Sequence, residues 1–301
     1  MSNIINRKIA VRFGTVVGEI SIKIWQAEEN APVLFCLPGY VGHIGSEFSF
    51  LASHLSENGY TVVVPDVIGR GDSTFFGEKE YYSPKNTLIS LHAIFSAFPG
   101  RPRFVMGTSW GGVMALMYMQ AFRENFSGVI FNDIPLINYG PSEDFKTSML
   151  ELCKSDFETL EEAASFGHAT LDRVLGPLPR HFDAEFVGAN YVGERDGRFR
   201  FKVDPALVEI IEEHIFNRFD ISGDIAELRC PVALLYGTNS WHRDMAVIEL
   251  VRRNGRDVTV FDNLAGTHPP QMLTRDQHMV VQGFLDYATK KAQPWRQGAE
   301  A

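Results

Sequence analysis

The sequence predicts an α/β protein: an eight-stranded, mostly parallel sheet with helices on both faces and a helical cap inserted before the last two strands. Short apolar runs rich in β-branched residues alternate with segments of helical spacing, the pattern of strands joined by helices. Six of those runs read as strands buried on both faces of a parallel sheet. About 90 residues separate the fourth run from the fifth, where a crossover needs only about a dozen.

In chain order, residues 8–13 and 17–25 alternate around Gly14 and Gly18 and read as an antiparallel opening hairpin. The buried strands follow as Val33–Leu37, Thr61–Pro65, Phe104–Met106, Val129–Asn132, Val232–Tyr236 and Val258–Phe261. The long interval has apolar positions at helical spacing in Phe145–Leu152 and Leu160–Ala164 and few strand signals, so it is expected to be helical. That divides the chain into a core, residues 1–134 and 226–301, and a cap, residues 135–225. A closing helix is expected around Val280, Val281, Phe284 and Leu285, and the polar stretch from Lys290 to Ala301 is expected to fray.

Composition bounds the function. The chain has 301 residues, 45% hydrophobic and 22% charged, which is that of a folding globular protein. With 28 Lys+Arg against 37 Asp+Glu, its formal net charge of -9 disfavours nucleic acid and anionic membranes as partners. Three scattered cysteines, Cys36, Cys153 and Cys230, suit neither a disulfide framework nor a zinc cluster and fit a cytoplasmic location. No apolar segment follows Arg7 and Lys8 as a secretory signal would require. The triplets Asn125-Phe126-Ser127 and Arg70-Gly71-Asp72 are therefore expected to be accidents of sequence.

The chemistry gathers at three places. Gly107-Thr108-Ser109-Trp110-Gly111 stands between a strand and a helix. Glycines two positions either side of a serine permit a strained turn that lifts its hydroxyl to the end of the sheet. Ser109 is the candidate nucleophile. A hydroxyl needs a base, and His268, in the loop after the last strand, is the candidate; His278, its nearby rival, falls within the closing helix. The turn Pro38-Gly39-Tyr40 follows the first buried strand, so the main-chain N–H groups of Tyr40 and Trp110 are the candidate oxyanion donors. No His-Glu-x-x-His, cysteine pair or Gly-x-x-x-x-Gly-Lys loop occurs, so no metal or other cofactor is expected.

Together with Pro65-Asp66-Val67-Ile68-Gly69-Arg70-Gly71-Asp72-Ser73, these segments resemble the alpha/beta-hydrolase fold superfamily along essentially the whole chain. Asn132-Asp133-Ile134-Pro135 is similar to a segment of capped members related to esterases and carbon–carbon bond hydrolases. Pro38 replaces the usual His of the oxyanion loop. After Val232–Tyr236 the family commonly carries an acid at the end of a Gly-x-x-Ser-Asp segment, whereas this chain reads Gly237-Thr238-Asn239-Ser240-Trp241. The resemblance therefore points to Asp133, at the preceding strand end, as the acid that orients His268, with Asp244 as the alternative and a cap of the insertion's first turn as Asp133's other role. It implies a serine hydrolase acting on a small-molecule acyl or ketone substrate: an ester, thioester or lactone, or a carbon–carbon bond beside a ketone. A ligand-binding protein on the same scaffold is the other reading. The insertion's arginines, Arg173, Arg180, Arg195, Arg198 and Arg200, are expected at solvent.

Overall fold

The computed structural model describes residues 3–40, 48–138, 140, 143–178, 180, 182–210, 219–266 and 268–292. The frayed C-terminal end expected from Lys290 lies, beyond residue 292, outside the described residues. The eight strands are β1 Asn3–Phe13, β2 Val16–Gln26, β3 Val33–Leu37, β4 Thr61–Pro65, β5 Arg103–Thr108, β6 Gly128–Asn132, β7 Val232–Gly237 and β8 Val258–Leu264. They form one sheet in the order β1-β2-β4-β3-β5-β6-β7-β8. The opening hairpin pairs antiparallel, β2 joins β4 antiparallel, and every later pair is parallel.

Strand geometry explains the continuous apolar runs. Successive side chains point to opposite faces, so Val33, Phe35 and Leu37 enter one core while Leu34 and Cys36 enter the other. β7 divides the same way, with Val232, Leu234 and Tyr236 on one side and Ala233 and Leu235 on the other. Helices α1 (Ser49–Glu57) and α8 (Arg275–Ala292) cover the second core through Leu51, Leu55, Phe284 and Leu285. Helices α2 (Pro84–Ser96), α3 (Trp110–Phe122) and α7 (Met245–Asn254) cover the first.

β1 begins five residues before the apolar alternation does. Asn3–Arg7 is exposed on both faces and keeps its place by main-chain pairing with Lys23–Gln26 and Ile22 rather than by burial. The segment between β6 and β7 also departs from the all-helical expectation. It holds α4 (Glu143–Lys154), α5 (Leu160–Leu175) and α6 (Ala184–Tyr191). It also holds a three-stranded ribbon of Asp156–Phe157, Arg198–Phe201 and Val192–Arg195, and a two-stranded one of Ile137–Asn138 with Phe219–Asp220. Strands of two to four residues carry too little alternation to stand out in sequence. Two main-chain bonds tie the insertion to the loop after β4: Gly71 donates to Lys202 and Asp204 donates to Gly69, each at 2.8 Å.

Candidate active site

Ser109 stands between β5 and α3 with φ 49° and ψ -119°, a conformation that side chains adopt at a cost. Close packing imposes the glycines around it. A Cβ at Gly107 would lie 2.4 Å from Gly112, and one at Gly111 would lie 2.3 Å from the carbonyl oxygen of Leu37. Ser109 N–H donates to the carbonyl of Asn132 (2.9 Å), anchoring the turn on β6. Asn132 is itself a node: its Nδ2 donates to Thr108 Oγ1 (3.0 Å) and to the carbonyl of Pro270 (3.1 Å), fastening the His268 loop to the turn.

Ser109 and His268 line one cavity of about 600 Å³ at the carboxyl ends of the strands. Asp133 follows β6 with φ 55° and is completely buried, and His268 is 4% exposed. His268 Nδ1 lies 3.3 Å from Asp133 Oδ1, off the line that a well-aligned N–H would take and just beyond a normal hydrogen bond. The carboxylate is shared: Oδ1 also accepts from the Ser240 hydroxyl, and Oδ2 accepts from Gly237 N–H at 3.3 Å. Asp133 therefore turns back under the β7 loop instead of capping the insertion. Asp244, the alternative acid, is the N-cap of α7 and accepts from the amides of Ala246 (3.0 Å) and Val247 (3.2 Å). The residue borders the cavity, and it is Asp133 that lies against His268.

Tyr40 and Trp110 meet at the same cavity. The position a Cβ would take on Gly39 is 3.9 Å from Ser109 Cβ, so the loop after β3 closes on the serine. Trp110 opens α3, where an amide has no helical acceptor, and among the described residues neither its N–H nor that of Tyr40 is hydrogen-bonded. His278 lies on α8, its Nε2 against the carbonyl of Met272 (2.7 Å), away from the cavity.

Two residues at the site were not singled out as candidates from sequence. His242 packs edge-on against His268, ring centres 4.4 Å apart, and Trp241 covers it at 4.5 Å. Burial, followed by the neighbouring charge of His268, holds His242 well below the usual histidine range. The indole N–H of Trp241 donates to His242 Nε2 (3.2 Å). The available signal was position: both follow the carboxyl end of β7. The insertion supplies the facing wall through Pro135, Leu136, Phe145, Val174 and Phe219. Arg173 is exposed to solvent as expected and also borders the cavity, donating to Ser148 Oγ at 3.1 Å and pairing with Glu151 at 3.5 Å. Among the described residues no group of three His, Cys, Asp or Glu side chains is arranged to hold a metal ion. No described helix is long and apolar enough to cross a membrane.

This sheet, turn and cavity are those of the alpha/beta hydrolase fold. The family model with that description matches residues 32–182, and the chain belongs to this family. An alpha/beta hydrolase from Novosphingobium aromaticivorans superposes with a TM-score of 0.78 at 19% identity, covering 95% of this chain and 99% of its own. An esterase from Thermogutta terrifontis superposes with a TM-score of 0.66 at 16% identity, covering 94% and 99%. At such identities the likeness is one of fold. By sequence the chain is similar to a human serine hydrolase-like protein, 29% identical over 119 residues. The match covers 40% of this chain and 57% of that relative.

Proposed function

We propose that the protein is a serine hydrolase that cleaves a small carboxylic ester, thioester or lactone, or a carbon–carbon bond beside a ketone. The observation that carries this reading is the meeting of Ser109 and His268 at one cavity, with Asp133 against the imidazole Nδ1. Ser109 Oγ attacks the substrate carbonyl carbon while His268 Nε2 takes its proton. Asp133 keeps the other ring nitrogen protonated and stabilises the imidazolium. The negative charge that forms on the carbonyl oxygen is met by the N–H groups of Tyr40 and Trp110, at the positive end of α3. His268 returns the proton to the leaving group, and water then repeats the sequence on the acyl-enzyme. Ser240 and Gly237 share the carboxylate and fix its orientation. Residues 135–225 act as the cap whose apolar wall selects the acyl or aryl group.

A fluorophosphonate probe tests the reading. Labelling at Ser109 that disappears in Ser109→Ala, together with ester turnover lost by about 10⁴-fold or more, is the expected result. A folded Ser109→Ala variant with unchanged turnover overturns it, and a protein that binds acyl ligands without labelling or turnover is a binding protein instead.

A further inference from the structure

Arg70, in the loop after β4, is 5% exposed and has partners unusual for a buried cation. Its Nε donates to the main-chain carbonyl of Tyr40, and its Nη1 donates to the carbonyl of Ile68 at 3.2 Å. The guanidinium also lies over the Tyr40 ring, 4.9 Å from its centre. Among the described residues no carboxylate forms an ion pair with it. Asp204, next to the Val203 that bridges to Arg70, accepts instead from the Tyr82 hydroxyl and from the amides of Gly77 and Ala206. Burial pushes the Arg70 pKa down, yet a guanidinium stays charged at neutral pH. A cation withdrawn from water without an anion is costly, so what it holds in place matters.

It holds Tyr40. The carbonyl of that residue is fixed by Arg70 Nε, its ring face by the guanidinium, and its hydroxyl by the carbonyl of Leu207 at 2.5 Å. With carbonyl, ring and hydroxyl all anchored, the place of the Tyr40 main chain beside the cavity is fixed. Arg70, Tyr40 and Trp110 border one small gap, so the guanidinium lies close to both proposed oxyanion donors.

We propose that Arg70 is a positioning residue for the oxyanion site: it sets the main chain of Tyr40 so that its N–H meets the forming oxyanion, and its positive charge favours that oxyanion. This rests on the serine-hydrolase reading and concerns one step, formation of the tetrahedral intermediate.

The test compares wild type, Arg70→Met and Arg70→Lys with a p-nitrophenyl ester and with an alkyl trifluoromethyl ketone, which gains an oxyanion on adding to serine. Arg70→Met should lower kcat by about 100-fold, the scale of a lost oxyanion donor, with KM within about threefold. Affinity for the ketone should fall in parallel. Arg70→Lys keeps the charge and loses the fork, so it should recover about tenfold of the loss. A folded Arg70→Met with wild-type kcat and ketone affinity, or with a change in KM alone, overturns the proposal. Should Arg70→Met fail to fold, Arg70→Lys decides: a joint fall in kcat and ketone affinity supports the role, and wild-type values for both overturn it. Fluorophosphonate labelling of wild type separates the two levels. Absence of Ser109 labelling removes the serine mechanism, whereas labelling with unaffected Arg70 variants removes only the role of Arg70.

Discussion

Asp133 and Asp244 are both carboxylates beside the cavity, and their partners separate them. Asp133 is dehydrated and held by Ser240, Gly237 and His268, whereas Asp244 is committed to the first turn of α7. Asp133→Asn should therefore lower kcat by about 10⁴-fold through the wrong imidazole tautomer. Asp244→Ala should leave kcat within a few-fold and cost about 1 kcal/mol of stability for the lost cap. Steady-state kinetics with thermal melts distinguish the two, and the opposite pattern would exchange their roles. Ser109 was legible because its surroundings are local: two glycines, a strand before and a helix after. Asp133 was legible as a carboxylate at a strand end. The place of His242 was not, because it depends on two loops about 25 residues apart in sequence meeting at His268. Nor was the burial of Arg70, whose partner Tyr40 comes from a distant segment and is itself bonded to the carbonyl of Leu207.

Among the elements, the turn between β5 and α3 is the least tolerant. Gly111→Ala puts a methyl group against the Leu37 and Pro38 carbonyls of β3 and its loop. Main chain on both sides cannot yield as a side-chain tip would, so a loss of several kcal/mol in chemical denaturation is expected; a loss under about 0.5 kcal/mol would show that β3 moves freely. The buried histidines give a pH dependence. Burial lowers His278 at the start of α8, as it does His242. Below the ordinary value of 6.5 and above their folded values, the unfolded chain binds more protons than the folded one, so stability rises with pH there. The contribution is complete above that value and is lost as pH falls through and below it. Melting temperature should drop between pH 7.5 and pH 5, and His278→Gln should flatten that slope; an unchanged slope would remove His278 as a source. β3 to β7 were legible because two-sided burial leaves nearly unbroken apolar text, whereas β8, expected to be buried on both faces, is largely half-buried at the sheet's edge. The first half of β1 was not, since main-chain pairing holds it without burial, nor were the ribbons of the insertion, whose strands are too short to show alternation.

For the whole molecule, the cavity is a joint construction. The sheet contributes Ser109, His268 and the loops around them, and the insertion contributes the apolar wall. Substrate length is then expected to be read by the insertion and chemistry by the sheet. Val174→Trp, on α5, should lower kcat/KM for a long-chain acyl ester by tenfold or more while leaving the acetyl ester within a few-fold, the scale at which pockets sense methylenes. Equal effects on both would mean that Val174 does not face the acyl group. The apolar lining was partly foreseeable from the Phe and Leu content of the insertion, but the side chains that line it depend on how α4 and α5 pack, which sequence spacing does not specify.

The short ribbon of Ile137–Asn138 with Phe219–Asp220 has an evolutionary consequence. Paired strands lie about 4.8 Å apart, so everything between residues 138 and 219 leaves and rejoins the molecule at one clasp. A segment of different length or origin can be spliced across that gap without altering the order of the sheet, because β6 and β7 remain neighbours whatever is carried between them. Such a replacement would carry away Lys202, Asp204 and the carbonyl of Leu207, so the incoming segment would have to hold the loops after β3 and β4 anew.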